Sequence, residues 1–239
     1  MFEIAYINLE KRKDRKKALL QNLADFGFSK FNISRINAIE DKFGEIGCAK
    51  SHLLALTKLY TETVSEYLLV LEDDFRFRIH SEQLINILNS IKASKVKVDL
   101  MQLYALRVQP SSKIMIQYGK EKIFLYKVLF SQSCTAYLVQ KRMAPKLINC
   151  FLGSLEVFEN NRNAMHNQRV RGSLNTKFAI DNAWHSIQAN GNSFVLDFEI
   201  GVHEDGYSNV QNRHKAVSEK SMAEPFGYNK PFPKFIKSP

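Results

Sequence analysis

Five apolar residues, Tyr67 to Leu71, run directly into three carboxylates, Glu72-Asp73-Asp74. A short unbroken apolar run reads as a strand buried on both faces, the centre of a covered sheet. Three adjacent acids at its end repel one another and need compensation. Mg²⁺ or Mn²⁺ supplies it, because hard cations take carboxylate oxygens and complete their shell with substrate phosphates. In open α/β sheets, ligands bind beyond the carboxyl ends of the strands, where this triplet sits. The competing reading is a solvated acidic turn or a helix cap.

The rest of the chain supplies a sheet around that strand. Phe2 to Leu9 reads as a buried strand, followed by a helix carrying Leu19, Leu20, Leu23 and Ala24 and stopped by Gly27. Phe31 to Ile36 alternates as a strand does, and a helix with Leu53, Leu56 and Tyr60 starts near Gly47. Ser81 reads as the N-cap of a helix with Leu84, Ile87, Leu88 and Ile91 on one stripe. Val98 to Tyr104 is strand-like, and Lys113 to Leu129 reads as a hairpin turning near Gly119. Thr135 to Val139 is a further strand, and Met143 to Cys150 a short helix. Residues 151–177 are polar and Asn-rich, and read as a long loop. Phe178 to Ile180 reads as a short strand, a helix through Trp184 and Ile187 follows, and Ser193 to Phe198 is the last strand. Strand and helix alternate in the first half, as in a mostly parallel sheet covered by helices, whereas the second half is mixed. We expect one α/β domain over 1–210 and a basic, Pro-containing tail over 211–239.

Composition narrows the class. In 239 residues, 45% hydrophobic and 11% aromatic content excludes a disordered chain. Three Cys exclude a disulfide scaffold and suit a reducing compartment. Lys and Arg number 34 against 24 acids, a formal net charge of +10, which favours an anionic partner. No leader and no apolar run of membrane-spanning length is visible, so a cytoplasmic or peripheral protein is expected.

Several further residues carry chemistry. Asn8 follows the first strand, and Arg12 and Arg15 stand at the mouth of the next helix, where Arg forks and a helix N-terminus suit phosphate. No glycine-rich phosphate loop accompanies them, which disfavours an ordinary kinase, ATPase or dehydrogenase. Ser51 and His52 are adjacent, so on a helix they point about 100° apart and do not pair as nucleophile and base. Contacts to a ligand suit them better, with Gly47 making a tight helix–strand contact. Cys48 reads as a small buried hydrophobe. Asp181 is either a helix cap or a general base. Residues 178–206 hold five acids (Asp181, Asp197, Glu199, Glu204 and Asp205) and no Lys or Arg, a candidate second half of a cation site. His203 lies within it. Cys48, Cys134 and Cys150 fall in no zinc pattern, and no nucleic-acid motif is found.

These pieces together resemble glycosyltransferase family 25, the lipooligosaccharide and procollagen galactosyltransferase-like family. INLEKRKDR (Ile7 to Arg15) is similar to its NL-x-x-R-x-x-R opening, and EIGCAKSHLLAL (Glu45 to Leu56) to its GE-x-GC-x-x-SH signature. YLLVLEDDF resembles its EDD motif, and SCTAYLVQKRMAPKLI (Ser133 to Ile148) its AYL stretch. FAIDNAW (Phe178 to Trp184) and VHEDGYS (Val202 to Ser208) resemble its later segments. The order agrees over about residues 2–210. The resemblance implies a GT-A-like fold and a metal-dependent, inverting transfer from a UDP-sugar, commonly UDP-galactose, to a hydroxyl. It implies Asp181 as the base that deprotonates the acceptor. It places Asp74 at a Mn²⁺ or Mg²⁺ ion, assisted by Asp73 or Glu72, with His203 as a further contact to metal or diphosphate. Asn8, Arg12 and Arg15 would bind the nucleotide, and Ser51 and His52 would line or brace the donor pocket.

The expected acceptor is a glycan or glycolipid, above all bacterial lipooligosaccharide, reached at the inner face of the membrane. Residues 107–177 carry 12 Lys and Arg against three Glu, and the tail sets Lys230, Lys234 and Lys237 beside Phe232, Phe235 and Ile236. That pattern suits an anionic bilayer. A collagen-type hydroxylysine galactosyltransferase is the alternative within the family. A polyanion-binding protein explains the charge but not the carboxylates, and a metal-dependent phosphoesterase explains the carboxylates but not Asn8 to Arg15.

Overall fold

Phe2–Asn8 (β1) is buried along almost its whole length, so it needs cover on both faces. The computed structural model supplies it, and describes residues 2–204 together with the backbone of 206–208 and 213–215. After β1 come Lys13–Asp25 (α1), Ile33–Asn37 (β2), Gly44–Glu62 (α2), Tyr67–Glu72 (β3), Phe75–Phe77 (β4) and Ser81–Ala93 (α3). Leu100–Gln102 (β5), Leu106–Tyr118 (β6), Glu121–Gln132 (β7), Ala136–Gln140 (β8) and Ala144–Asn160 (α4) follow. Gln168–Phe178 (α5), Ile180–Ala183 (α6), His185–Asn190 (α7), Ser193–Leu196 (β9) and Gly201–His203 (β10) complete the described core.

Eight strands form one sheet in the order β2-β1-β3-β8-β5-β9-β7-β6. β1 pairs in parallel with β2 and β3, and β5 with β9. β8 runs antiparallel between β3 and β5, and β7 runs antiparallel between β9 and β6. Six of the eight strands therefore point the same way, with only β8 and β7 reversed. The expected mostly parallel sheet with a mixed second half is what forms, and β6 and β7 are the hairpin, turning at Gly119 with φ +57°.

The two faces have separate cores. Leu69 and Leu71 of β3 pack with Leu19 and Leu23 of α1 and with Leu84 and Ile87 of α3. Leu68 and Val70 pack on the other face with Leu53, Leu56 and Leu59 of α2 and with Leu147 and Phe151 of α4. A β-strand alternates its side chains between faces, and β3 does so to its last residue. That alternation decides where the carboxylates point.

Three local expectations are corrected. Residues 151–177 are helical: α4 continues to Asn160, and α5 occupies most of the remainder. Leu147, Phe151, Ser154 and Phe158 form one buried stripe at helical spacing. Asn167 caps α5 by accepting from the Arg169 amide at 2.9 Å. Phe178 to Ile180 is the junction of α5 and α6, not a strand. His80, not Ser81, is the cap of α3: its amide donates to Gln83 Oε1 at 2.8 Å, while Ser81 Oγ donates to the Gly27 carbonyl at 2.7 Å. The tail from 211 lies outside the described residues, apart from the backbone of 213–215.

Candidate active site

β3 ends at Glu72, and Asp73 and Asp74 form the turn into β4. Asp73 and Asp74 face α1, and both are buried. Arg15, in the first turns of α1, bridges them: its Nη1 donates to Asp73 Oδ1 at 3.1 Å and to Asp74 Oδ2 at 2.9 Å. Asn8, at the end of the neighbouring strand, donates to Asp73 Oδ2 at 2.7 Å and to the Arg12 carbonyl at 3.0 Å. The Asn8 Oδ1 accepts from Arg35 Nε at 3.2 Å. Asn8 is thus a buried clamp that fixes Asp73 and the entry to α1.

His203 reaches the same place from β10. Its Nε2 lies 3.2 Å from Asp74 Oδ2, and its ring lies 6.0 Å from that of Tyr104. The strand must come close to do this. β10 pairs with β4, with Gly201 opposite Phe77 and His203 opposite Phe75. A Cβ on Gly201 would lie 2.2 Å from Phe75 Cζ and 2.5 Å from the Arg76 carbonyl, so no other side chain fits. The Glu204 amide then donates to the Asp74 carbonyl at 2.7 Å. Arg76 closes the turn, donating to the Asp73 and Phe75 carbonyls at 2.9 and 2.8 Å and pairing with Glu204.

The electrostatics are tense. Burial raises the Asp73 pKa from its ordinary value, and the Asp74 charge raises it further. Asn8 and Arg15 offset this only in part. Two buried acids side by side therefore favour further positive charge, even with Arg15 between them. Two carboxylates and an imidazole are also a donor set that Mn²⁺ or Mg²⁺ takes. The residues present thus fit a divalent cation at Asp74, Asp73 and His203.

Glu72 does not join them. Being next along the alternation, it faces α2, where His52 Nε2 lies 3.1 Å and Cys48 Sγ 3.9 Å from its Oε1. His52 is buried, and its Nδ1 lies 3.1 Å from the Tyr137 hydroxyl. Ser51 points elsewhere: its Oγ donates to the Gly47 carbonyl at 2.6 Å and accepts from the Ile39 amide at 2.8 Å. It braces the loop before α2, and Gly47 touches the same loop, a Cβ there falling 2.5 Å from the Ile39 carbonyl. The close contact expected of Gly47 is thus with a loop rather than a strand. Arg12 forks onto the exposed Asp14 at 2.7 and 3.0 Å.

Asp181 lies on α6, half-buried, on the Glu72 side of the sheet. Its charge, with those of Cys48 and Glu72, acts on the buried Cys134 thiol, which burial first of all holds well above its ordinary pKa. The neighbouring Asn182 accepts from Gln132 Nε2 at 2.5 Å, which ties α6 to the end of β7. The acidic island does not gather at one point. Asp197 accepts from the Phe124 amide at 3.1 Å, and Glu199 pairs with Arg78 at 2.8 Å. Asp205 lies outside the described residues.

Sequence reasoning missed Arg35, Arg76 and Tyr137. Arg76 had a visible signal, as a cation two residues beyond the carboxylates. Arg35 meets Asn8 through the pairing of β1 with β2, and Tyr137 meets His52 where α2 packs on the sheet.

The family model for glycosyltransferase family 25 (LPS biosynthesis protein) matches residues 42–157. That span holds α2, the carboxylate-bearing turn and β8, but not Asn8, Arg15, Asp181 or His203. No curated protein matches the sequence. Among solved structures, A197 from STIV overlaps with a TM-score of 0.48 at 11% identity, over 89% of this chain and 92% of that one. A mannose-1-phosphate geranyltransferase from Thermus thermophilus gives 0.38 at 11% identity, over 82% and 73%. A glycosyltransferase involved in glycosylation of the major capsid of PBCV-1 gives 0.34 at 10% identity, over 66% of each chain. Overlaps this loose decide nothing about the chemistry.

Proposed function

From the match of residues 42–157 to glycosyltransferase family 25 we propose that the chain is a member of that family, and that it moves a hexose, galactose in the first instance, from a UDP-sugar to a hydroxyl of a glycan or glycolipid acceptor, with inversion. The observation that carries this reading is the buried Asp73–Asp74 pair at the carboxyl end of β3, faced by Arg15 and His203. A nucleoside diphosphate brings negative charge to a place that already holds two carboxylates, so a cation must lie between them. Mn²⁺ or Mg²⁺ would be held by Asp74, with Asp73 and His203, and would neutralise the diphosphate leaving group. Arg15 adds a planar donor fork for phosphate oxygens on the same side. Asn8 holds Asp73 in place, and Arg12 stands at the mouth of α1 beside the nucleotide. Ser51 braces the loop before α2, and His52 holds Glu72 at the end of β3 on the other face of the sheet. Asp181 takes the proton from the attacking acceptor hydroxyl, and with one base and no covalent intermediate the sugar inverts.

The acceptor reading is lipooligosaccharide at the inner face of a bacterial membrane. The family's description as an LPS biosynthesis protein and the positive balance of the chain support it. No helix among the described residues is long and apolar enough to cross a membrane, so on this reading the chain meets its acceptor from the surface.

The test is a thermal-shift panel of UDP, GDP, CDP and ADP, each with Mn²⁺ or with a chelator. A ligand that binds only the folded state raises its apparent stability by mass action. A shift for UDP that is lost with chelator and in Asp74→Ala is the expected result. No shift with any nucleotide in a folded sample would sink the transferase reading.

A further inference from the structure

Helix α2 places Cys48 and His52 four residues apart, so both side chains lie on one face of it. That face meets the end of β3, and the strand's alternation turns Glu72 toward it. The Cys48 Sγ, a His52 ring nitrogen and a Glu72 carboxylate oxygen all lie within 4.8 Å of one another. We propose that these three residues form a second metal site, specific for a thiophilic divalent cation of the Zn²⁺ class and distinct from the carboxylate cluster on the opposite face.

The donor chemistry separates the two sites. Thiolate and imidazole ligands suit Zn²⁺, while carboxylate oxygens suit Mn²⁺, Mg²⁺ and Ca²⁺. A tetrahedral zinc site with bonds near 2.0–2.3 Å sets its ligand atoms roughly 3.3–3.7 Å apart. Here Nε2 and Oε1 are 3.1 Å apart, and Sγ and Oε1 are 3.9 Å apart. Both Glu72 contacts lie within about half an ångström of these spacings, and the Cys48 Sγ and the His52 nitrogen, within 4.8 Å of each other, close by about 1 Å at most through side-chain rotation.

The surroundings are those of a ligating histidine. Such a histidine donates its other ring N–H to an oxygen, which fixes the tautomer and aims the ring. His52 Nδ1 faces the Tyr137 hydroxyl at 3.1 Å, and the two rings stack at 5.8 Å. Tyr137 is fully buried, and burial raises its pKa well above the ordinary value, so its neutral hydroxyl remains as the acceptor. Without metal, the His52–Glu72 contact holds the same atoms together. Metal would bind the Cys48 thiolate, its proton passing to solvent, and the Nε2 lone pair of the neutral His52 tautomer whose Nδ1–H donates to Tyr137. Three protein ligands leave one position for water or an added ligand, the pattern of an open zinc site.

The experiment uses the full chain in an Asp74→Asn background, which removes the hard-cation site, after treatment with a chelator. Co²⁺ is titrated in, and the thiolate-to-cobalt charge-transfer band is followed in the near ultraviolet. One equivalent should give the band, and Zn²⁺ should displace it. Cys48→Ser should abolish the band, and His52→Gln should weaken Co²⁺ binding by about tenfold or more. Cys134→Ser and Cys150→Ser should leave it intact. Tyr137→Phe should keep the band while weakening Zn²⁺ by about 10–100-fold. Circular dichroism confirms that each variant is folded. No band in the folded chain, or a band that survives Cys48→Ser and is lost with Cys134→Ser or Cys150→Ser, overturns the proposal. Neither result touches the UDP reading, which the nucleotide panel tests on the other face.

Discussion

Replacing Gly201 with Ala asks whether the close approach of β10 holds the site together. The added Cβ would sit 2.2 Å and 2.6 Å from two atoms of the Phe75 ring and 2.5 Å from the Arg76 carbonyl. Ordinary van der Waals contact starts near 3.4 Å, so each contact is about 1 Å short. The Phe75 ring is buried in the core and cannot swing clear, and the carbonyl is backbone in the paired strand. The strands must separate by roughly 1 Å. Overpacking of this kind costs about 1–3 kcal/mol. In a chain of this size that is a fall in Tm of about 2–12 °C. His203 is two residues along the same strand and would be drawn from Asp74 with it. Guanidinium unfolding followed by circular dichroism measures the first effect, and the Mn²⁺-dependent UDP thermal shift measures the second. Gly153→Ala is the matched control, because that glycine lies in the exposed face of α4 with nothing within 4 Å of its added Cβ. It should stabilise the chain by about 0.5–1 kcal/mol. An unchanged unfolding midpoint for Gly201→Ala refutes the packing argument. A lower midpoint with an undiminished UDP shift refutes the link to His203.

Two further outcomes follow from the charges. Arg162→Ala should flatten the acid limb of stability. Hydrogen bonds from Arg162 and then Lys50 lower the Glu159 pKa from its ordinary value to about 2, and Arg162 also forks onto Asp41 at 2.6 and 3.2 Å. Burial pushes the Asp41 carboxyl up, but Arg162 and the Phe43 amide outweigh it, so its pKa is also lowered. A depressed carboxylate contributes stability above its unfolded pKa and loses it as pH falls toward the folded value. Thermal melts from about pH 5 to pH 2 should therefore fall less steeply in the variant, and an identical slope would remove Arg162 from the account. Asp181→Asn should largely abolish sugar transfer while UDP binding persists, measured by radiolabelled transfer and by thermal shift. Loss of UDP binding in a folded variant would place Asp181 at the donor instead.

Much of this arrangement is legible in the sequence, and the reasons differ by residue. YLLVL is apolar on both faces, and only a central covered strand needs that, so β3 and its flanking helices follow from pattern alone. Arg15 is legible because strand, turn and helix bring the first turns of α1 back over the strand ends. Arg35 and Tyr137 are not legible, since Arg35 meets Asn8 across the pairing of β1 with β2 and Tyr137 meets His52 only where α2 packs on the sheet, and no local signal specifies either. The stretch 151–177 misleads for a different reason. Its Asn and Arg content is that of a loop, while only Phe151 and Phe158 mark the buried stripe. α5 buries no side chain fully, and is held instead by Arg171 donating to the buried Glu45 at 2.8 Å through two nitrogens. Ion pairs between distant segments leave no periodicity to read.

The carboxylate triplet shows what a motif conceals. Read as letters, Glu72-Asp73-Asp74 is one acidic cluster, and all three acids share one cation. Read as a strand, it cannot be. Leu69 and Leu71 face α1, Leu68 and Val70 face α2, and the same alternation carries Glu72 to α2 and Asp73 to α1. His52 and Arg15 then stand on opposite faces of the sheet, each beside its own acid. Glu72→Gln and Asp74→Asn therefore part company, although both remove one charge from the same short triplet. Asp74→Asn should lose the Mn²⁺-dependent UDP shift. Glu72→Gln keeps the shape of the side chain and touches neither Arg15 nor His203, so it should retain that shift to within a factor of about two in apparent Kd, or about 0.4 kcal/mol. Isothermal titration of UDP with Mn²⁺ into both folded variants decides it. Equal loss in the two would mean that the triplet acts as one site, and that the strand's alternation does not survive to its last residue.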